Sequence, residues 1–219
     1  MIQKLLLQSL ISKYYLGVNE SVKWVVKDNA LSIGFMSPGE DIIGEVTCTD
    51  FQLEDVELAI FNTNKLKNLT SVTNGELLIE LIKINKLATK LKISDASFNL
   101  EFALSDPLLI RTPKQVKDYD YEIILTLDPE EITHLIKARS ALSDSSLLRI
   151  ETNRDLDNNQ IVNFIFGEGD SYSDKIVYQK SGEIREELHA GIPLESNSFK
   201  NILNANKKDI LNAKSKKIT

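Results

Sequence analysis

Phe61-Asn62-Thr63-Asn64-Lys65-Leu66-Lys67-Asn68-Leu69 lines up without gaps on Leu194-Glu195-Ser196-Asn197-Ser198-Phe199-Lys200-Asn201-Ile202. Asn64 and Asn197, Leu66 and Phe199, Lys67 and Lys200, Asn68 and Asn201, and Leu69 and Ile202 keep their residue type, and each copy directly follows a strand-like run. Leu10-Ile11 matches Leu135-Ile136 in an earlier helical stretch of each half. So short a likeness carries weight because the order of elements repeats with it, the mark of one structural unit used twice.

Outward from the first copy, residues 3–16 put Leu6, Leu7, Leu10, Ile11, Tyr14 and Tyr15 at helical spacing, with Gln8, Ser12 and Lys13 opposite and Gly17 as the stop. Strands follow at 22–26 and 30–35 around Lys27-Asp28-Asn29, then at 42–48 and 56–61 around an acidic loop. Asn62 and Asn64 are good cap types for a second helix, whose apolar stripe is Leu66, Leu69 and Val72 and which ends at Asn74-Gly75. Strands at 77–84, 89–94 and 97–104 close the first half. Residues 105–118 hold Pro107 and Pro113, show no period and read as a connector.

The order then starts again. A strand at 119–127 precedes Asp128-Pro129-Glu130-Glu131, a helix start with a capping Asp, Pro at the first position and acids in the first turn. That helix runs to about 142; strands at 147–152, 160–166, 174–180 and 184–192 follow, then a helix at about 197–206. This is an α+β chain of two similar domains, 1–104 and 119–219, each with two helices packed on antiparallel sheets. Only 207–219 follow the last helix, where the first half has three strands, so the second domain is expected to be incomplete at its C-terminus, with an unpaired sheet edge.

The 219 residues, 42% hydrophobic and 26% charged, are those of an ordinary globular protein, which disfavours disorder, collagen and coiled coil. No apolar run approaches the roughly 20 residues of a membrane span. The N-terminus lacks a leader pattern, so a cytoplasmic protein is expected. Cys48 is the single cysteine and His134 and His189 are the two histidines, which excludes an internal disulfide and a cysteine-based zinc site. Asp155-Leu156-Asp157-Asn158-Asn159-Gln160 opens like a calcium loop but has Gln160 where Gly is needed and Phe166 where Glu is needed, so it reads as a hairpin turn. Gly167-Glu168-Gly169 precedes no helix and is a poor phosphate cradle. Asn19-Glu20-Ser21 and Asn68-Leu69-Thr70 match the glycosylation pattern, which means little in a cytoplasmic chain. No nucleophile–base arrangement emerges: not an enzyme, with no cofactor and no metal.

Charge distribution is more informative. The chain is net −6, yet its four helical segments are together net basic. Lys4 and Lys13 in the first, Lys65 and Lys67 in the second, and Lys200, Lys207 and Lys208 in the fourth stand without acids; in the third, Lys137 and Arg139 follow a cap that holds all the acids. At 100° per residue, Lys13, Lys67 and Lys137 lie opposite their apolar stripes, and Lys200 takes the place of Lys67. Such faces attract phosphates without reading sequence. The competing reading is a monomeric α+β protein-binding module whose lysines are solvated surface and which has no DNA role.

In residues 56–72, 128–142 and 160–167, and in order and spacing from the first helix to about 206, the chain resembles the DNA sliding clamps of T4-type tailed bacteriophages. The resemblance implies the DNA-clamp fold and a head-to-tail homotrimeric ring around duplex DNA. Such a ring binds DNA without sequence specificity, tethers a DNA polymerase for processive synthesis, is loaded by a separate clamp loader and acts in the host cytoplasm. It assigns Lys13, Lys67, Lys137 and Lys200 to the DNA-facing surface, with Lys4, Lys65, Arg139, Lys207 and Lys208 as further candidates. It also assigns Pro107, Leu108, Leu109 and Ile110 to partner binding; the bland alternative is that they pin the connector to the sheet. Subunit contacts would use edge strands at 97–104 and in the region 174–192.

Overall fold

The computed structural model describes residues 1–40, 42–113, 123–167, 173–185, 187–188 and 191–207, which divide into two units. The first holds β1 (Ile2–Gln3), α1 (Lys4–Tyr15), β2 (Val22–Lys27), β3 (Ala30–Met36), β4 (Ile43–Thr49), β5 (Val56–Ile60), α2 (Thr63–Ser71), β6 (Glu76–Ile84), β7 (Leu87–Ser94) and β8 (Asn99–Ala103), followed by a 3-10 turn at Pro107–Leu109. The second holds β9 (Ile123–Ile124), α3 (Pro129–Ala141), β10 (Leu147–Arg154), β11 (Gln160–Phe166), β12 (Ile176–Ser181), β13 (Glu183–Ile184), β14 (Ile192–Glu195) and α4 (Ser196–Asn206).

All described ladders are antiparallel, and the repeat appears in their order. The first unit has a sheet β4-β3-β2-β5 and the second β12-β11-β10-β14, the same succession of equivalent strands. Period-two burial explains why these strands form. Val22, Trp24 and Val26 face inward on β2, and Leu31, Ile33 and Phe35 on β3, each alternating with more exposed neighbours. Asp28 and Asn29 both take positive φ, 50° and 61°, as a tight turn between β2 and β3 demands. The first core gathers Leu7, Leu10, Ile11 and Tyr14 of α1 with Trp24, Leu31, Leu58 and Leu66. Trp24 takes Tyr14 and Phe51 edge-on, at centroid distances of 6.5 and 6.1 Å. In the second unit Leu135, Leu148, Val162, Phe164, Phe166 and Leu203 form the core.

The units differ in what completes them. In the first, β1 pairs with β6, which follows α2, and the sheet continues as β1-β6-β7-β8. In the second, β9 pairs with β13, which lies between β12 and β14. Among the described residues no strand follows α4.

Several expected boundaries shift. α1 ends on Leu16, which takes the left-handed conformation (φ 48°) ahead of Gly17 and returns its N–H to the Ser12 carbonyl. On α2 the buried positions are Thr63, Leu66 and Thr70, with Val72 exposed, because the helix stops at Ser71 and its stripe turns around Leu66. The expected strand at 184–192 is instead the two short strands β13 and β14. Residues 119–122 of the expected strand at 119–127 lie outside the described residues, as do His189 and Lys208.

Candidate nucleic-acid interface

Each unit carries a helix pair, α1 with α2 and α3 with α4, and the same device joins the helices of each pair. α2 opens on buried Thr63, whose N–H and Oγ both donate to the Glu20 carbonyl, at 2.9 and 3.0 Å. α4 opens on buried Ser196, whose N–H donates to the Ser146 carbonyl at 2.9 Å and whose Oγ donates to that of Ser145 at 2.9 Å. In both, the second helix is stapled to the chain that leaves the first. The caps correspond as well: Asn62 accepts from Lys65 N, and Glu195 accepts from Asn197 N and Ser198 N.

Cations divide by element. On the strands, Lys23 pairs with Glu57 (3.1 Å), Lys90 with Glu101 (2.6 Å), Lys92 with Glu80 (2.9 Å) and Arg154 with Glu187 (3.0 Å). On the helices, Lys65, Lys67, Lys137 and Lys200 form no ion pair among the described residues; Lys65, Lys67 and Lys137 are exposed and Lys200 half-exposed. Lys67 has another partner, since its Nζ lies 5.5 Å from the centroid of the Tyr15 ring on α1, within cation–π range and worth ~0.5–1 kcal/mol at such a site. Lys13 is half-buried and Lys207 exposed at the end of α4.

Two candidates turn out to be structural. Arg139 is 5% exposed: Nη1 donates to the Leu142 carbonyl (2.6 Å), and Nη2 to Asn197 Oδ1 (2.9 Å) and the Ser143 carbonyl (3.4 Å). Its guanidinium thus ties the end of α3 to the start of α4 from inside, and it is not a surface cation. Lys4 Nζ donates to the carbonyls of Ser71 and Thr73, neutralising the C-terminal end of α2.

The apolar run of the connector also splits. Asp106 caps the 3-10 turn by accepting from Leu108 N at 2.9 Å, which leaves Leu108 90% and Leu109 73% exposed. Ile110 is 7% exposed, so it anchors the connector and is withdrawn from the contact residues. Pro107 is half-buried at the start of the turn.

The other motifs resolve to ordinary structure. Asp155 accepts from the N–H groups of Asp157 and Asn159 and from Asn159 Nδ2, closing the β10–β11 hairpin. Gly167 takes φ +78° against the Asp174 carbonyl, where an added Cβ would lie 2.2 Å away; Glu168 and Gly169 are outside the described residues. Asn19 is buried, its Nδ2 donating to the Tyr14 carbonyl at 2.7 Å. His134 stands at the surface 3.9 Å from Glu130 Oε1. The Cys48 thiol is buried, and burial followed by the charge of Asp50 raises its pKa. Among the described residues no cluster of His, Cys, Asp and Glu is arranged to hold a metal, and no helix is long and apolar enough to cross a membrane.

No protein-family model and no curated protein matches the chain. Among solved structures it is similar to Proliferating Cellular Nuclear Antigen from Entamoeba histolytica, with TM-score 0.68, 12% identity, and 94% of this chain and 82% of that one covered. The fold is that of a sliding clamp. The helix pair and the four-stranded sheet each occur once in either unit. Of the strands named for subunit contacts, β8 and β12 each lie at an edge of their sheet, and Val177 on β12 is exposed.

Proposed function

We propose that this chain is a subunit of a DNA sliding clamp: a homotrimeric ring that encircles duplex DNA, tethers a replicative DNA polymerase and is placed on DNA by a separate clamp loader. The observation that carries this reading is the division of cations. Among the described residues Lys65, Lys67, Lys137 and Lys200 form no ion pair, while Lys23, Lys90 and Lys92 of the strands are matched across their ladders, and the clamp fold is the setting in which unmatched helix lysines have a use. A surface of unpaired ammonium groups gains by releasing counterions from a phosphate backbone and discriminates little between sequences. Lys67, Lys137 and Lys200, with Lys13 and Lys65, are the proposed DNA-facing residues; Lys207 and Lys208 extend the set beyond α4. Leu108 and Leu109 are the proposed polymerase contact, because a 3-10 turn that holds two leucines in water is accounted for by a partner that covers them. Head-to-tail closure would use the free edges of β8 and β12. The T4-type phage setting, and with it the host cytoplasm and the absence of catalysis and cofactors, follows from the resemblance in order and spacing.

Light scattering across a concentration series is the first test. A trimer that dissociates on dilution is expected, and a monomer at every concentration would count against the ring. Lys67→Glu with Lys200→Glu should then abolish clamp-dependent stimulation of polymerase while leaving mass and melting unchanged. Leu108→Ser with Leu109→Ser should lose polymerase binding yet keep DNA affinity, which separates the two surfaces.

A further inference from the structure

We infer that Tyr15 is a positioning residue for DNA binding, holding Lys67 ready for a phosphate, and that the first unit has this device while the second lacks it. The inference rests on the clamp reading and deepens it.

Tyr15 is the last residue of α1 and half-buried. Its hydroxyl donates to Glu20 Oε1 at 3.1 Å, and the other carboxylate oxygen of Glu20 accepts from Asn64 N, in the first turn of α2, at 3.0 Å. The Glu20 carbonyl meanwhile takes both donors of Thr63. Glu20 thus fixes the phenol against the start of the very helix that carries Lys67 one turn later. The ring so fixed lies under the Lys67 ammonium, 5.5 Å from centroid to Nζ. An aromatic face holds a cation without using up its N–H donors, which stay available to a phosphate. Lys67 makes no ion pair among the described residues, so no carboxylate has to be displaced.

Lysine is a flexible point charge, and ordering its side chain is part of the cost of each phosphate contact. A lysine already held in place has met part of that cost. The second unit is a built-in control. Lys200 is the repeat partner of Lys67, but in the register Leu10-Ile11 to Leu135-Ile136 the partner of Tyr15 is Ser140, whose hydroxyl donates back to the Ile136 carbonyl at 2.7 Å. Ser145 stands in the register position of Glu20 and offers its carbonyl to Ser196 without a carboxylate to fix a ring. Among the described residues no aromatic ring lies under Lys200.

The test is a double-mutant cycle on the full-length protein, combining Tyr15→Leu with Lys67→Met. It is read as affinity for a short fluorescent duplex of mixed sequence across a KCl series, with Tyr15→Phe as the conservative variant and thermal melts as the folding check. Proton NMR of the Lys67 side chain supplies a readout independent of DNA. Its methylenes should be shifted upfield by the ring in the wild type and in Tyr15→Phe, and should lose that shift in Tyr15→Leu.

Lys67→Met should cut the salt slope by about one phosphate contact per subunit and cost more affinity than Lys200→Met. Tyr15→Leu should weaken binding about threefold or more. It should have no further effect once Lys67 is Met, and Tyr15→Phe should bind as wild type. Additive effects of Tyr15→Leu and Lys67→Met, or no upfield shift in the wild type, would overturn the inference. A wild-type protein that shows the ring shift but has no affinity for the duplex would instead refute the clamp reading beneath it.

Discussion

Arg139 shows what a single residue contributes when burial is known. A guanidinium at 5% exposure is tolerable because both terminal nitrogens are used, on the carbonyls of Leu142 and Ser143 and on Asn197 Oδ1, although Nε is buried with no partner among the described residues. Arg139→Met should therefore lower the unfolding free energy by about 2–3 kcal/mol in urea titration. The salt slope of DNA binding should stay unchanged, whereas a DNA-facing arginine would give the reverse pattern. Helical spacing already sets Lys137 opposite the apolar stripe and Arg139 nearer to it, four residues after Leu135, but formal charge is local and burial is not, so only the fold shows that Arg139 is buried. The same holds for Ile110 beside Leu108 and Leu109: three aliphatic residues in a row, of which the fold buries one.

Among the elements, the helix starts carry the most specific chemistry. Thr63 and Ser196 each hold a helix to the preceding chain through a buried hydroxyl. Thr63→Val and Ser196→Ala should each cost about 1–2 kcal/mol in chemical denaturation, while Thr63→Ser should cost less because it keeps the donor. Carboxylates that receive N–H donors make these ends acid-sensitive. Burial alone would raise the Glu195 pKa, but the N–H groups of Asn197 and Ser198 and the charge of Arg139 bring it below the ordinary value. Asp95 is lowered by the N–H groups of Phe98, Ser97 and Asn74, and Asp155 by the side chain and N–H of Asn159. A folded pKa below the unfolded one gives stability that is complete above the unfolded carboxylate range and is lost as pH falls through the folded value. Melting temperature should accordingly be level from neutrality to about pH 5 and fall below about pH 4. Glu195→Gln with Asp95→Asn should lower the neutral plateau and flatten the acid limb in pH-dependent thermal melts.

For the whole molecule, the repeat supplies two cores of different make-up. Trp24, the single tryptophan, is fully buried in the first core between Tyr14 and Phe51. Its emission should be blue-shifted in the native protein and should report the unfolding of the first unit alone, while far-UV circular dichroism reports both. Non-coincident urea transitions by the two probes are expected, with the second unit, whose β9 is held by the two-residue β13, giving way first. Phe164→Leu, a change confined to the second core, should move the circular dichroism transition and leave the Trp24 transition in place.

The sequence by itself determined the doubled α+β plan, the places of the four helices, most of the sheet strands and the unmatched charge of the helices. These depend on period, capping type and turn chemistry, which act within a few residues and survive any arrangement of the rest. Only the tertiary structure decided that Arg139 and Lys4 are fasteners, that Ile110 anchors what Leu108 and Leu109 expose, and that β9 takes its partner from between β12 and β14. It alone set Lys67 on the Tyr15 ring. Each of these is a meeting of residues far apart in the chain, and side chains of the same type carry the same pattern in the sequence whether the fold buries, pairs or exposes them.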